Sequence, residues 1–297
     1  LLVELGRPLE ALASFDRALA LDARDAESLS RRGDVLRTLG RLGEALAIHD
    51  QAVAAHPDRA EFYINRSTTL AELKRSPEAL ADLDRALAIA PASAVAYVNR
   101  AILLRRMGRL HEALASSDAA IALKPDLATA HGSRGSVLWE LERLEESLAS
   151  HDRAIALAPD DADALANRGA TLLGLQRFDE ALACYDRSLA LHPGKGEAAW
   201  NKSQLLLLRG DFAQGLPLYE ERRRKPEFPT VGDPAVPSWH PGVSLAGRSV
   251  LVHWEQGMGD TIQFCRYLRP LAAQAGRVLF AAQRPLAALV RGLGPGI

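Results

Sequence analysis

The chain has 297 residues, 48% hydrophobic but only 5% aromatic, with Lys+Arg 36 against Asp+Glu 37 and a net charge of −1. So even a balance supplies no bulk field that would draw the chain to nucleic acid or to an anionic membrane. The two cysteines, Cys184 and Cys265, stand far apart without CxxC spacing, which excludes a disulfide framework or a cysteine zinc site and is compatible with a reducing cytoplasm.

No apolar run approaches the ~20 residues of a membrane-spanning helix. The histidines are scattered, with no HxxxH or HExxH to put two on one helical face, so no metal site is expected.

Residues 1–25 read as a partial unit: the end of a helix A, then a helix B containing SFDRALALDAR, with Ala11 and Ala18 at small-residue positions. Leu1 falls at the tenth position of that unit, so half of a helix A is expected to be missing, and any leader with it. The stretch Ala26–Arg59, AESLSRRGDVLRTLGRLGEALAIHDQAVAAHPDR, then begins again at Ala60, Ala94, Ala128, Ala162 and, more loosely, Gly196, a period of 34 residues. Small residues recur at its eighth, fifteenth, twentieth and twenty-seventh positions (Gly33, Gly40, Ala45, Ala52), where two helices are expected to pass close together. Proline closes the unit at Pro57, Pro91, Pro125, Pro159 and Pro193.

Within helix A the tenth, eleventh and fourteenth positions are apolar (Leu103, Leu104, Met107; Val137, Leu138, Leu141), one stripe that only neighbouring helices can cover. The copy from Gly196 drifts: Gly215 replaces the alanine, and the helix is expected to end in Glu220–Lys225, EERRRK. That run reads either as a basic binding patch or as a solvated last turn whose cations suit a helix C-terminus.

The period, the small residues and the closing prolines resemble the tetratricopeptide repeat (TPR) family over Leu1–Lys225. The resemblance implies an all-α right-handed superhelix of helix pairs, an α-solenoid whose helices A line a concave surface that binds protein or peptide.

The sixth position is asparagine at Asn65, Asn99, Asn167 and Asn201, interrupted by Arg31 and Ser133. Asparagine is a mediocre helix-interior residue, so its return needs a reason. Either the amides bridge adjacent helices, or they donate to and accept from the backbone of an extended peptide without reading its side chains. The row resembles the asparagine ladder of O-linked N-acetylglucosamine transferases. Flanking positions on the same face are mostly apolar or small: Ile64, Thr68 and Ala71; Val98, Ile102 and Arg105; Gly132, Ser136 and Trp139. Ser30, Ile64 and Val98 stand where a carboxylate-clamping TPR presents lysine, which argues against a chaperone-tail clamp. The candidate peptide contacts are therefore the four asparagines with Ile64, Val98, Ile102 and Trp139.

Arginine recurs at the seventh position (Arg32, Arg66, Arg100, Arg134, Arg168) and aspartate at the twenty-fifth (Asp50, Asp84, Asp118, Asp152, Asp186), a departure from the usual TPR leucine. In the last copy both change, to Lys202 and Glu220, keeping opposite signs, so the two positions of one copy are expected to form an ion pair.

Residues 226–248 carry Pro226, Pro229, Pro234, Pro237 and Pro241 without helical period and read as a linker. Ser249–Trp254 then reads as a short buried strand, Glu255–Asp260 as a glycine turn, Thr261 to about Gln274 as a helix, Arg277–Ala281 as a second strand, and a further helix starts near Pro285. That order is the opening of a parallel, Rossmann-like α/β sheet, which stops at Ile297 too soon to close a domain. The glycine turn lacks both the GxGxxG and the GK[ST] fingerprints, with Ile262 at the sixth position of the former.

The string HWEQGMGDTIQFCRYL (His253–Leu268), with Trp239–Leu245 leading into it, resembles heptosyltransferase-like GT-B glycosyltransferases, particularly bacterial proteins in which such a domain follows TPRs. The resemblance implies that Asp260 is the acceptor-side carboxylate, a base for the acceptor hydroxyl, with Gly257, Gly259 and Thr261 forming an anion or acceptor loop. Alternatively Asp260 simply caps a helix starting at Thr261. The donor-binding half is missing, so residues 249–297 imply no cofactor here and a nucleotide-sugar donor only for a longer parent. The expected function is a peptide-binding scaffold, the recruiting part of a larger bacterial, cytoplasmic protein; the alternative is a TPR-containing glycosyltransferase of which these residues are an inactive part.

Overall fold

The computed structural model describes residues 7–194, 196–219, 242–253 and 258–293, apart from the side chains of Gly259 and Asp260. Its contacts divide the chain into two units, Leu1–Glu221 and Arg222–Ile297.

In the first unit α1 (Pro8–Leu21) precedes six helix pairs: α2 (Ala26–Thr38) with α3 (Leu42–Ala55), α4 (Ala60–Glu72) with α5 (Ser76–Ile89), α6 (Ala94–Arg106) with α7 (Leu110–Leu123), α8 (Ala128–Glu140) with α9 (Leu144–Leu157), α10 (Ala162–Gly174) with α11 (Phe178–Leu191), and α12 (Gly196–Leu208) with α13 (Phe212–Tyr219). The first helix of each pair is helix A and the second helix B, and α1 is the helix B of the partial unit. Residues 220–225, where the basic run was expected to close α13, lie outside the described residues.

The sequence specifies both ends of these helices. Asp25, Ser93 and Asp161 cap helices A by accepting from backbone N–H groups two or three residues on. Helix B begins instead at an arginine whose guanidinium grips the glutamate three residues later with two bonds, as in Arg41–Glu44 at 2.7 and 2.6 Å, and the same fork recurs at Arg75–Glu78, Arg109–Glu112, Arg143–Glu146 and Arg177–Glu180. Those hydrogen bonds hold each glutamate carboxyl below the ordinary carboxylate range, and the charge lies where a helix N-terminus favours it.

Small residues at the eighth, twentieth and twenty-seventh positions do mark close helix approach: Gly33, Ala45, Ala52, Ala79, Ala86, Ala113 and Ala120 are all buried. The fifteenth position has a different reason. Lys74, Glu142 and Gln176 occupy it in three copies, at φ 60, 59 and 59°, and Gly40, Gly108 and Gly210 in the others, at φ 72, 73 and 80°. It is the left-handed residue that ends helix A, and the next N–H bonds back five residues, as from Arg41 to the Leu36 carbonyl and from Arg177 to that of Leu172, both 2.9 Å. Backbone conformation, not helix contact, sets this position; an added Cβ at Gly40 or Gly108 meets nothing within 4 Å.

The arginine–aspartate array also differs from expectation. Each arginine pairs with the aspartate of the preceding copy: Arg32–Asp16 at 2.7 Å, Arg66–Asp50 at 2.9 Å, Arg100–Asp84 at 2.8 Å, Arg134–Asp118 at 2.7 Å, Arg168–Asp152 at 2.6 Å, and Lys202–Asp186 at 2.5 Å. Helix A packs between its own helix B and the previous one, and the guanidinium reaches both. Its second partner lies on its own helix B: Asp82 for Arg66, Ser116 for Arg100, Ser150 for Arg134, and the Cys184 thiol for Arg168. Each arginine with these two partners clasps three helices.

In the second unit β1 (Ser249–His253) pairs in parallel with β2 (Arg277–Ala281), Leu251 opposite Leu279. Between them run α14 (Met258–Phe264), a 3-10 turn (Cys265–Tyr267) and α15 (Leu268–Ala272), where one helix from Thr261 to Gln274 was expected. Pro270 accounts for the break, since it offers no N–H to the carbonyl of Arg266 and its ring crowds that carbonyl. β1 is not a buried strand: Leu251 is 54% and Leu279 43% exposed on one face, while Val278 is buried on the other. A 3-10 turn (Arg284–Leu286) and α16 (Ala287–Val290) follow, as the proline suggested. A two-stranded parallel sheet with its helical crossover is what the described residues show, not a Rossmann-like domain.

Candidate functional site

The helices A of the second and third copies, α4 and α6, are separated by a groove of about 230 Å³ lined by Ser67, Thr68, Ala71 and Glu72 on one side and Asn99, Ile102, Leu103 and Arg106 on the other, with Leu83 of α5 also lining it. The α6 residues fall at i, i+3, i+4 and i+7, which puts them on one helical face. The groove therefore offers an apolar surface between two charged or polar ends.

Two predicted contacts, Asn99 and Ile102, line this groove together. Asn65 does not share its role, because its Nδ2 donates to Ser30 Oγ of the preceding copy at 2.9 Å, bridging α2 and α4. Asn99, Asn167 and Asn201 are half-buried, and among the described residues their side-chain amides make no hydrogen bond within the protein. Val98 turns inward, 5% exposed, against Ala120 and Ala130. Ile64 is half-buried at the edge of two core clusters. Trp139 stands 46% exposed on α8.

Sequence reasoning missed Glu72 and Arg106, at the thirteenth position. The signal lay in the pairs at the twelfth and thirteenth positions of successive copies: Arg37 bonds Glu72 at 2.8 Å and Arg105 bonds Glu140 at 2.5 Å, each joining neighbouring helices A.

Of the glycosyl-transfer residues, Gly257 lies outside the described residues, and so does the side chain of Asp260. α14 begins at Met258, so the backbone of Asp260 is its third residue and not a cap on a helix starting at Thr261. Thr261 is buried. Among the described residues no cluster of three or more potential metal ligands occurs, and no helix is long and apolar enough to cross a membrane.

Family models described as tetratricopeptide repeat match residues 1–50, 44–94 and 167–227, residues 94–127, and residues 126–193. Among solved structures, the chain is similar to one in the APC/C hetero-tetramer Cut9–Hcn1 at 14% identity and a TM-score of 0.69, covering 75% of this chain and 44% of that one. It is also similar to a tetratricopeptide repeat protein from Parabacteroides merdae at 17% identity and a TM-score of 0.62, covering 75% and 88%. A thermophilic TPR protein from Thermus thermophilus matches at 26% identity and a TM-score of 0.56, covering 61% and 99%. No curated protein matches the chain. These likenesses support a solenoid of stacked helix pairs.

Proposed function

Because the chain belongs to the tetratricopeptide repeat family, we propose that its helical unit is a scaffold that holds an extended segment of a partner protein in the groove between α4 and α6. The observation that carries this reading is the Asn99 amide, which has both a donor and an acceptor to offer and no hydrogen bond among the described residues, beside the apolar Ile102 and Ala71. An amide so placed can bond a peptide backbone while the apolar surface takes a side chain. Asn65, engaged by Ser30, sets the spacing of the helices instead. Asn167, Asn201 and Trp139 would extend the track over later copies, and the scaffold would serve as the recruiting part of a larger bacterial, cytoplasmic protein.

The test begins with peptides selected from a random display library on the purified chain. Asn99→Ala should weaken selected peptides of unrelated sequence by about 0.5–1.5 kcal/mol, since a backbone contact is lost whatever the side chains. Ile102→Glu should abolish their binding. Unchanged affinity in both variants, with an unchanged helical signal, would remove the groove from consideration.

A second reading makes the chain the recruiting arm of a glycosyltransferase using a nucleotide-sugar donor. One observation favours it: the parallel pairing of β1 and β2 through a helical crossover, the building unit of an α/β sheet. Asp260 would then act as the acceptor-side base, with Gly257, Gly259 and Thr261 around the acceptor. Asp260→Asn in the full-length protein should abolish sugar transfer and leave thermal stability in place; transfer at the parent rate would end this reading.

A further inference from the structure

In two of the five intervals between adjacent helices A, an arginine at the twelfth position bonds a glutamate at the thirteenth position of the next copy. Arg37–Glu72 closes the interval between α2 and α4, and Arg105–Glu140 closes that between α6 and α8. In the interval between them the same two positions are Ala71 and Arg106, so no bridge forms and the groove opens. Arg106 is exposed, and among the described residues its guanidinium has no acidic partner and no hydrogen bond. Glu72, across the groove, is already held by Arg37 at 2.8 Å. Of the two charged residues that line the groove, Glu72 thus has its charge met by Arg37 from outside it, and Arg106 is the one left without an opposite charge among the described residues.

We propose that the groove between α4 and α6 selects a peptide carrying an internal aspartate or glutamate, whose side-chain carboxylate pairs with Arg106 and completes the bridge that Ala71 leaves out. The inference rests on the reading of the groove as a peptide site and adds the chemistry of its occupant. Guanidinium and carboxylate match in geometry, with two parallel bonds available, and Arg106 gives up no partner among the described residues to make them. The apolar floor at Ile102, Leu103 and Ala71 excludes water from one side of the pair, which strengthens it over a fully exposed one.

The experiment uses the display library above, then acetylated and amidated synthetic copies of the selected peptides, so that no terminal carboxylate contributes. Selected sequences should share an acidic residue, and Arg106→Glu should weaken them by roughly tenfold or more. The same variant should bind copies in which that residue is lysine better than the wild-type chain does. Peptides that lack a shared acid and bind Arg106→Glu as they bind wild type would overturn the acidic preference while leaving the peptide site intact. If neither Asn99→Ala nor Ile102→Glu affects binding, the site itself fails and this inference with it. Arg106 is exposed at the end of α6, and an unchanged unfolding midpoint in Arg106→Glu separates a lost contact from a lost fold.

Discussion

Gly33 and His49 share one volume: a Cβ added to Gly33 would lie 2.4 Å from Cε1 of the His49 ring. The same relation joins Gly135 to His151 and Gly169 to Tyr185, each at 2.6 Å. In the two copies between, the paired positions are Ser67 with Leu83 and Ala101 with Ser117, all buried. In these three copies a glycine on helix A makes room for a ring on helix B, so the space between the helices is filled by the pair and not by either residue alone, whereas the last copy sets Ser203 against Tyr219.

Gly33→Ala is therefore expected to destabilise by about 1–3 kcal/mol, because the His49 ring is fully enclosed and cannot swing away. The double variant Gly33→Ser/His49→Leu installs the pair found at Ser67 and Leu83 and should recover most of that loss. Urea unfolding of the single and double variants gives the coupling directly. Simple additivity would show that the two positions do not share space.

Both ring nitrogens of His49 and Nδ1 of His151 are buried without a hydrogen-bond partner among the described residues. Burial holds each pKa at about 4 instead of 6.5; nearby Arg37 and Arg66 add to the effect at His49 and Arg168 at His151, while Asp50 and Asp152 oppose it. The unfolded chain therefore takes up protons that the folded chain refuses as pH falls from about 6.5 to about 4, and stability declines across that window. The loss should approach roughly 3 kcal/mol per histidine and level off below it. Replacing both pairs by serine and leucine, Gly33→Ser/His49→Leu with Gly135→Ser/His151→Leu, should flatten the profile of unfolding free energy against pH. A profile as steep as that of the parent would place the acid sensitivity elsewhere.

The repeat was legible because stacking imposes one geometry on every copy: the same alanines meet the same neighbours, and proline stops helix B at the same place. Partner choice was harder to read. Arg66 and Asp50 recur in phase whether the arginine bonds within its copy or to the previous one, and only the three-dimensional stack puts Asp50 and Asp82 on either side of it. The asparagines recur in phase, yet Asn65 reaches Ser30 thirty-five residues back, while the residue at that spacing before Asn99 is Ile64, which has no side-chain acceptor. The groove was hidden for the opposite reason, since it lies in an interval where a contact made on both sides of it, Arg37–Glu72 and Arg105–Glu140, is missing.

Arg66 makes the strongest of the clasps, with Asp82 at 2.6 and 2.7 Å and Asp50 at 2.9 Å, and the hydrogen bonds to Asp82 raise its pKa further above an already high value. The Asp82 side chain is only 8% exposed, so removing the guanidinium strands a buried carboxylate. Arg66→Met should cost about 3 kcal/mol or more. Asp82→Ser, which installs the partner that Arg100 and Arg134 use, should cost less than about 1 kcal/mol because the arginine keeps Asp50 and gains a hydroxyl. Thermal unfolding of the two variants decides the matter, and equal losses would mean that the pair is no more than surface charge.

The residue that ends helix A offers a test of the backbone alone. At Gln176, φ is 59°, a region that costs a side-chain-bearing residue about 1–2 kcal/mol, and glycine adopts it without that steric penalty. Glycine returns part of the gain through the greater freedom of its unfolded chain, so Gln176→Gly should stabilise by roughly 0.5–1 kcal/mol. Gln176 is the cleanest of the three sites, because Lys74 and Glu142 carry charges whose removal would add a second effect. The reverse change, Gly108→Gln, should destabilise by a similar amount, and since a Cβ there meets nothing within 4 Å, packing cannot account for the loss. Calorimetry on the two variants should give shifts of opposite sign. If Gln176→Gly is neutral or destabilising while Gly108→Gln is tolerated, the left-handed turn is not what limits these positions, and side-chain contacts at the end of helix A must be sought instead.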